Sequence, residues 1–220
     1  IIRGTTGTNA SLSIRRGAKL MAEGTVGKPI VFTSNEAAGN RTSGDWGGVI
    51  LLGRAKHNLG TNNVIEGLST AEARNYHGGT DDNDNSGVLK YVRIEFSGFI
   101  FSANNEINSL TMGSVGRGTT IDYVQTSYGL DDSFEWFGGS VNCKHLVAYR
   151  GLDDDFDTDN GYSGKVQFGI SLRDSAVADV SNSEAFESDN DAQGSSLLPQ
   201  TSVTFSNMTV MGPKENLANT

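Results

Sequence analysis

Carboxylates dominate the chemistry that this sequence can offer. Asp153, Asp154, Asp155, Asp157 and Asp159 fall within seven residues, Asp81, Asp82 and Asp84 share a second loop, and Glu187, Asp189 and Asp191 a third. In three loops the acids alternate with other residues and run toward a glycine: Asp82, Asp84, Ser86 and Gly87; Asp155, Asp157, Asp159 and Gly161; Asp189, Asp191, Gln193 and Gly194. Alternate side-chain oxygens on a turning backbone can meet at one point, which is how a calcium loop begins. None is an EF-hand, because the bidentate glutamate due at the twelfth position is Arg93, Val166 or Gln200. The expectation is a calcium-stabilised chain with ligands among Asp153, Asp155, Asp157, Asp159, Asp82, Asp84, Asp189 and Asp191. The competing reading is solvated acidic turns without an ion.

Two further chemistries use the same acids. Glu135, Asp157 and Glu187 each follow a phenylalanine directly, and paired carboxyls about 6.5 to 9.5 Å apart are what an inverting glycan hydrolase needs. Alternatively, aromatic rings beside acids form a glycan-binding surface, with rings stacking on sugars and carboxylates accepting from their hydroxyls. Glu135, Trp136, Tyr162 and Glu187 are the residues expected to touch such a ligand, while Phe134 and Phe156 read as interior. His57, His77 and His145 have no spacing that suits a metal site, and no G-x-S-x-G elbow is present. The single cysteine, Cys143, excludes an intrachain disulfide and a cysteine zinc cluster. It reads as a small buried hydrophobe.

The elements that must position these groups are short. Apolar residues alternate in Leu12 to Ile14, Ile30 to Phe32, Val49 to Leu52, Leu89 to Phe96, Ile121 to Tyr128, Val141 to Tyr149, Val166 to Leu172 and Val203 to Met211, separated by Gly, Asn, Asp and Ser clusters. Period two with β-branched and aromatic residues means strands, and no capped helical stripe occurs. One repeat is clean: YVQTSYGLDDSF from Tyr123 to Phe134 returns as HLVAYRGLDDDF from His145 to Phe156, offset by 22 residues. That period is too short for a propeller blade of about 40 to 50 residues. Hairpin turns hardly occur, so the strands must stack in parallel. The fold class is all-β, a right-handed single-stranded parallel β-helix occupying residues 1–220 as a single domain. The longer spacing before Ile121 calls for an inserted loop at Ser102 to Asn108.

Stacking has an electrostatic consequence. Matched positions on adjacent coils lie about 4.8 Å apart, which sets Asp131 and Asp132 beside Asp153 and Asp154, and Glu135 beside Asp157. Like charges at that distance repel by about 3.5 kcal/mol at an effective dielectric of 20. Calcium, neighbouring Arg150 and Lys165, or raised carboxyl pKa values must offset this.

Composition narrows the function classes. The chain has 220 residues, 28 of them Gly and 3 Pro, and 36% are hydrophobic, enough for a sizeable core. A net charge of −9 argues against binding nucleic acid, which needs clustered Lys and Arg. No run approaches the roughly 18 apolar residues of a membrane helix. Opening on Ile1 and closing on the polar run Lys214 to Thr220, the sequence reads as a piece of a longer chain.

Taken together, the strings LSIRRGAKLMAEGT, GDWGGVILLGRA, YHGGTDDNDNSG, LKYVRIEFSG and GLDDDFDTDNGYSGKVQFGISLRD resemble those of secreted β-helix proteins of Bacteroidota and relatives, over about Leu12 to Pro213. Those proteins are commonly longer and carry a type IX secretion sorting domain or a lipoprotein signal. The resemblance implies a parallel β-helix outside the cell or on its outer surface, and carries no catalytic residue over. The Gly-His-Gly and Arg-Ile-Lys patterns of polygalacturonases and the Arg-x-Pro-x-x-Arg of pectate lyases are absent from the sequence. The resulting expectation is a scaffold or binding module, with a glycan or a cell-surface protein as partner. A polysaccharide hydrolase or lyase is the first alternative. A structural subunit that associates end to end through open strand edges is the second.

Overall fold

The computed structural model describes residues 1–8, 10–60, 63–102, 105–180 and 182–213. In chain order the strands are β1 (Ile2–Gly4), β2 (Leu12–Ile14), β3 (Leu20–Glu23), β4 (Ile30–Ser34), β5 (Val49–Leu52), β6 (Gly87–Glu95), β7 (Phe99–Ser102), β8 (Asn105–Ile107) and β9 (Leu110–Val115). They continue as β10 (Thr120–Ser127), β11 (Phe134–Gly139), β12 (Cys143–Tyr149), β13 (Phe156–Asp159), β14 (Lys165–Gln167), β15 (Ile170–Leu172), β16 (Glu187–Ser188), β17 (Thr204–Ser206) and β18 (Thr209–Met211). Two parallel sheets result. One runs β1-β4-β6-β10-β12-β14-β17, with β3 beside β6 and β15 beside β12 and β18; the other runs β16-β13-β11-β9-β5-β2. From β9 onward the chain alternates between the sheets, so each coil gives a strand to both and stacks on the coil before it. This is a parallel β-helix.

The repeat sets the register. Val124 pairs with Leu146 and Ile121 with Cys143 in the first sheet, while Phe134 pairs with Phe156 and Trp136 with Thr158 in the second. Alternation along each strand turns these side chains into the space between the sheets. There Leu89, Leu110, Phe134, Trp136, Leu146, Phe156 and Val166 are all fully buried. The Phe134 and Phe156 rings stack 5.7 Å apart, nearly parallel, and Phe186 continues the file 5.5 Å from Phe156.

From β6 to β15 the coils of the first sheet bend at a matched residue held in the left-handed region. Tyr91, Tyr123, His145 and Phe168 have φ of 51°, 53°, 50° and 62°, and the ladder register skips over Tyr123 and His145. Such a backbone costs an L-residue about 1 to 2 kcal/mol. Ring stacking offsets part of it, with centroids 4.7, 4.2 and 5.0 Å apart down the file. The bend at Phe168 divides the strand expected over Val166 to Leu172 into β14 and β15, and Asn207, at φ 54°, likewise separates β17 from β18.

One departure from the 22-residue period shapes the molecule. Leu110 lies 61 residues after its partner Val49, and part of the intervening chain folds back over the outer face of the second sheet. The loop expected at Ser102 to Asn108 belongs instead largely to an antiparallel hairpin of β7 and β8. Ile65 and Ile107 from this excursion form a second apolar cluster with Ile50, Leu52 and Phe137, and Phe99 packs against it. The outer face is thereby walled on one side.

Candidate functional site

Beside that wall the second sheet carries acids instead of apolar groups. Because Phe134 and Trp136 point inward, Glu135 between them points out. The register then places Glu135 beside Asp157 and Asp157 beside Glu187 on three successive coils. Asp131, Asp132 and Asp153 come from the turns entering β11 and β13, where the repeated Leu-Asp-Asp brings them together. Glu66 and Glu106 reach in from the excursion, and Asp179 closes the far side. The result is a cleft of about 830 Å³, rimmed by the apolar side chains of Ile100, Leu130, Leu152 and Val180, with no Lys or Arg among its lining residues.

The geometry is tight enough for a shared ligand. Carboxylate oxygens of Asp131, Asp132 and Asp153 lie within 4.8 Å of one another, and so do those of Asp132, Glu135 and Asp157. Burial, reinforced by neighbouring acids, raises Glu66, Asp131, Asp132, Glu135 and Asp157. Glu66 is pushed up to about 8 by burial and then Asp131, and Asp131 to about 8 by burial and then Asp153. Asp132 and Glu135 lie well above the carboxylate range, through burial first and then Asp131 and Glu66 respectively. Asp157 is raised to about 7, mainly by burial, although a hydrogen bond from Glu135 pulls the other way. Shifts in this direction favour the protonated carboxyl over the carboxylate.

One polar side chain at the cleft floor is incomplete. Asn108 is fully buried and its Nδ2 donates to Glu135 Oε2, yet its Oδ1 has no partner. Thr111, the cross-strand neighbour of Glu135, likewise has a buried Oγ1 with none. Leaving a buried acceptor unpaired costs about 1 to 3 kcal/mol.

The remaining expected residues are dispersed. Asp153 and Asp157 face the cleft, but Asp155 turns away to Arg173, 3.3 Å distant, and also accepts hydrogen bonds from Ser133 and Ser171. Asp159 leans on Asp189, and burial followed by that neighbour raises it to about 7. The Asp153 to Asp159 run therefore does not close around one point, because β13 is extended: Asp157 and Asp159 share a face but lie about 6.6 Å apart along the strand. Asp82 pairs with Lys56 at 2.9 Å, and Asp84 is buried beside Ser86. Asp191 caps a turn, accepting from the backbone N–H groups of Gln193 and Ser195 and from the Ser195 hydroxyl. Nor do Arg150 and Lys165 neutralise the cleft: Arg150 pairs with Asp174, and Lys165 is exposed on β14, in the other sheet.

Trp136 and Tyr162 need correction as ligand-binding residues. Both are fully buried, stacked on each other 5.3 Å apart, and the Tyr162 hydroxyl donates to the Val141 carbonyl at 2.8 Å. They belong to the core, since inward alternation from Phe134 carries Trp136 with it. Tyr162→Phe should therefore leave ligand binding unchanged while costing about 1 kcal/mol of stability, the worth of one hydrogen bond. Thermal melts and a binding titration on the same variant check this.

The histidines lie apart from the cleft. His145 stacks in the aromatic file and bonds Asp122 at 2.8 Å. His57 and His77 face each other at 4.8 Å, where burial drives His77 down to about 3. Cys143 is buried, as expected, and its thiol is pushed up to about 12 by burial.

Sequence reasoning missed Glu66, Glu106 and Asn108 as cleft residues, and identified Asp131 and Asp132 only as part of a ladder. The signal that could have found them is the 61-residue gap before Leu110, a length that must cross a face of the solenoid. Among the described residues no helix is long and apolar enough to cross a membrane. Comparison with the curated proteins found no match, and neither did comparison with the solved structures. The model of the pectate-lyase-like β-helix domain matches residues 1–220, the whole chain, and agrees with the stacked parallel coils: this protein belongs to that family.

Proposed function

We propose that this chain is a glycan-binding β-helix module that works outside the cell, holding its ligand in the acidic cleft with calcium present. The observation that carries the reading is the cleft itself, where carboxylates crowd the floor, apolar side chains form the rim and no basic residue lines it. Sugar hydroxyls donate to carboxylates and complete a cation's oxygen shell, while the C–H faces of a sugar ring suit Leu130, Leu152 and Ile100. The cleft has more acids than calcium ions would balance and so repels polyanions, which makes neutral glycans the expected class. The family name agrees with polysaccharides as the broad class, whereas the choice of neutral ones rests on the charge of the cleft alone.

The test is a glycan array probed with the full chain in calcium and again in chelator. Retention of neutral glycans only in calcium, lost in Glu187→Gln at the exposed edge of the cleft, is the expected result. Uniform absence of retention in both would remove the reading.

One observation favours hydrolysis as a second reading. Glu135 and Glu187 sit two strands apart, about 9.6 Å by strand spacing, at the limit of the range of about 6.5 to 9.5 Å for inverting hydrolysis. Asp157 between them, raised to about 7, has the pKa of a general acid. Against this, Glu135 is buried and its Oε2 is taken by a hydrogen bond from Asn108. Purified protein is expected to release no reducing ends from glycans. Release that Asp157→Asn abolishes would reverse the order of the two readings.

A further inference from the structure

We propose that the cleft floor is a two-calcium centre bridged by Asp132, one ion held by Asp132, Glu135, Asp157 and Asn108, the other by Asp131, Asp132 and Asp153. This rests on the reading of the cleft as a calcium-dependent ligand site, and adds where the ions sit and how many there are.

The geometry supplies two overlapping triads, each with its oxygens within 4.8 Å, and Asp132 is common to both. A carboxylate has about four lone-pair positions. The one hydrogen bond that Asp132 Oδ1 accepts, from the Asp154 backbone N–H at 3.0 Å, leaves both oxygens able to bridge. The inner triad carries the independent sign of an ion. Asn108 places its amide against Glu135, with Oδ1 buried and unpartnered, and the buried Thr111 Oγ1 on the neighbouring strand is unpartnered too. A cation beside Glu135 would satisfy Thr111 Oγ1, and also Asn108 Oδ1 once the amide, whose Nδ2 faces Glu135 here, turns over. Three carboxylates with an amide and a hydroxyl oxygen approach the 6 to 8 hard ligands of calcium in the flexible geometry it tolerates. Magnesium demands a near-ideal octahedron that side chains from three coils do not preset.

Charge argues for the second ion. The two triads together contain five carboxylates, and Glu66, Glu106, Glu187 and Asp179 line the same cleft. A single calcium leaves an excess of three negative charges on the triads alone, whereas two leave one. The outer ion, between Asp131 and Asp153, is the more open to the cleft and so the one that a glycan hydroxyl reaches.

Calorimetric titration of calcium chloride into the chelator-treated full chain, with no glycan present, tests this separately from glycan binding. Two calcium ions per chain are expected. Asp153→Asn should keep one and weaken the other at least tenfold, while Asp132→Asn should weaken both. Melting curves without calcium show whether each variant is folded, and removing a crowded negative charge should leave them unchanged or shifted upward. Asp82→Asn, outside the cleft, should retain both ions. A stoichiometry of one, two ions surviving in Asp132→Asn, or no binding because protons alone neutralise the acids would each overturn the two-calcium centre. Two ions without any glycan retained would uphold it and sink the glycan reading instead.

Discussion

Stripped of calcium, the protein should lose stability as the pH rises from about 4 to about 8, whereas merely solvated acids would give no slope. Unfolded Asp and Glu titrate near about 4, whereas folded Glu66 and Asp131 are raised to about 8 and Asp157 to about 7. Between those limits the folded state binds more protons than the unfolded one, so stability falls with increasing pH. The contribution is fully present below the unfolded pKa and is lost as the pH passes the folded values. Calcium takes over the protons' role at higher pH, because its ligands must be ionised. At a hundredfold excess over its dissociation constant, binding to the folded state alone adds about 2.7 kcal/mol per site. For a chain of this size that raises the melting temperature by roughly 5 to 10 °C. Melts in chelator and in calcium across this pH range check both slopes. Superimposable curves would mean that the acids are merely solvated.

Arg173→Met should be the most damaging single substitution near the cleft, costing about 3 to 5 kcal/mol. The Arg173 side chain is 8% exposed and that of its partner Asp155 0%. Burial holds Asp155 above its ordinary pKa even though the Ser171 hydroxyl and the Arg173 charge pull it down. The guanidinium also donates to the backbone carbonyls of Asp153, Glu184 and Leu152, tying the turn that presents Asp153 to the wall of the cleft. Removing it strands a buried carboxylate and three acceptors together. Adding Asp155→Asn to Arg173→Met should restore part of the loss, since no buried charge is then left unpaired. Denaturant unfolding of the two single variants and the double variant measures the coupling, and strictly additive losses would show that the pair does not act as a unit.

The stacking itself was legible because the repeat is almost undecorated. The offset of 22 residues gives the register of Val124 with Leu146 and of Phe134 with Phe156 directly, and with it Glu135 beside Asp157; Glu187 joins that file only after a longer coil. The second sheet was harder to see. Its strands LTMGSV and FEWFGG are buried on both faces, so they lack the polar-apolar alternation that reveals a one-sided strand. The same double burial hid the fate of Trp136, which lies beside acids in sequence but faces the opposite side of the sheet. Local spacing also misled for Asp155 and Asp159. A D-x-D run reads as converging oxygens only if the backbone turns, and from Phe156 to Asp159 it is an extended strand. Glu66, Glu106 and Asn108 join the cleft through the excursion between β5 and β9, and no short-range pattern encodes that meeting.

The most direct test is a crystal of the full chain grown with manganese in place of calcium, read by its anomalous difference map. Manganese shares the preference for oxygen ligands and scatters anomalously. The account predicts peaks at the cleft floor, with Asp132 between them and Glu135, Asp157 and Asn108 around the inner one. Peaks confined to the Asp82 and Asp84 loop or the Asp189 and Asp191 loop, with the cleft left dry of metal, would contradict it.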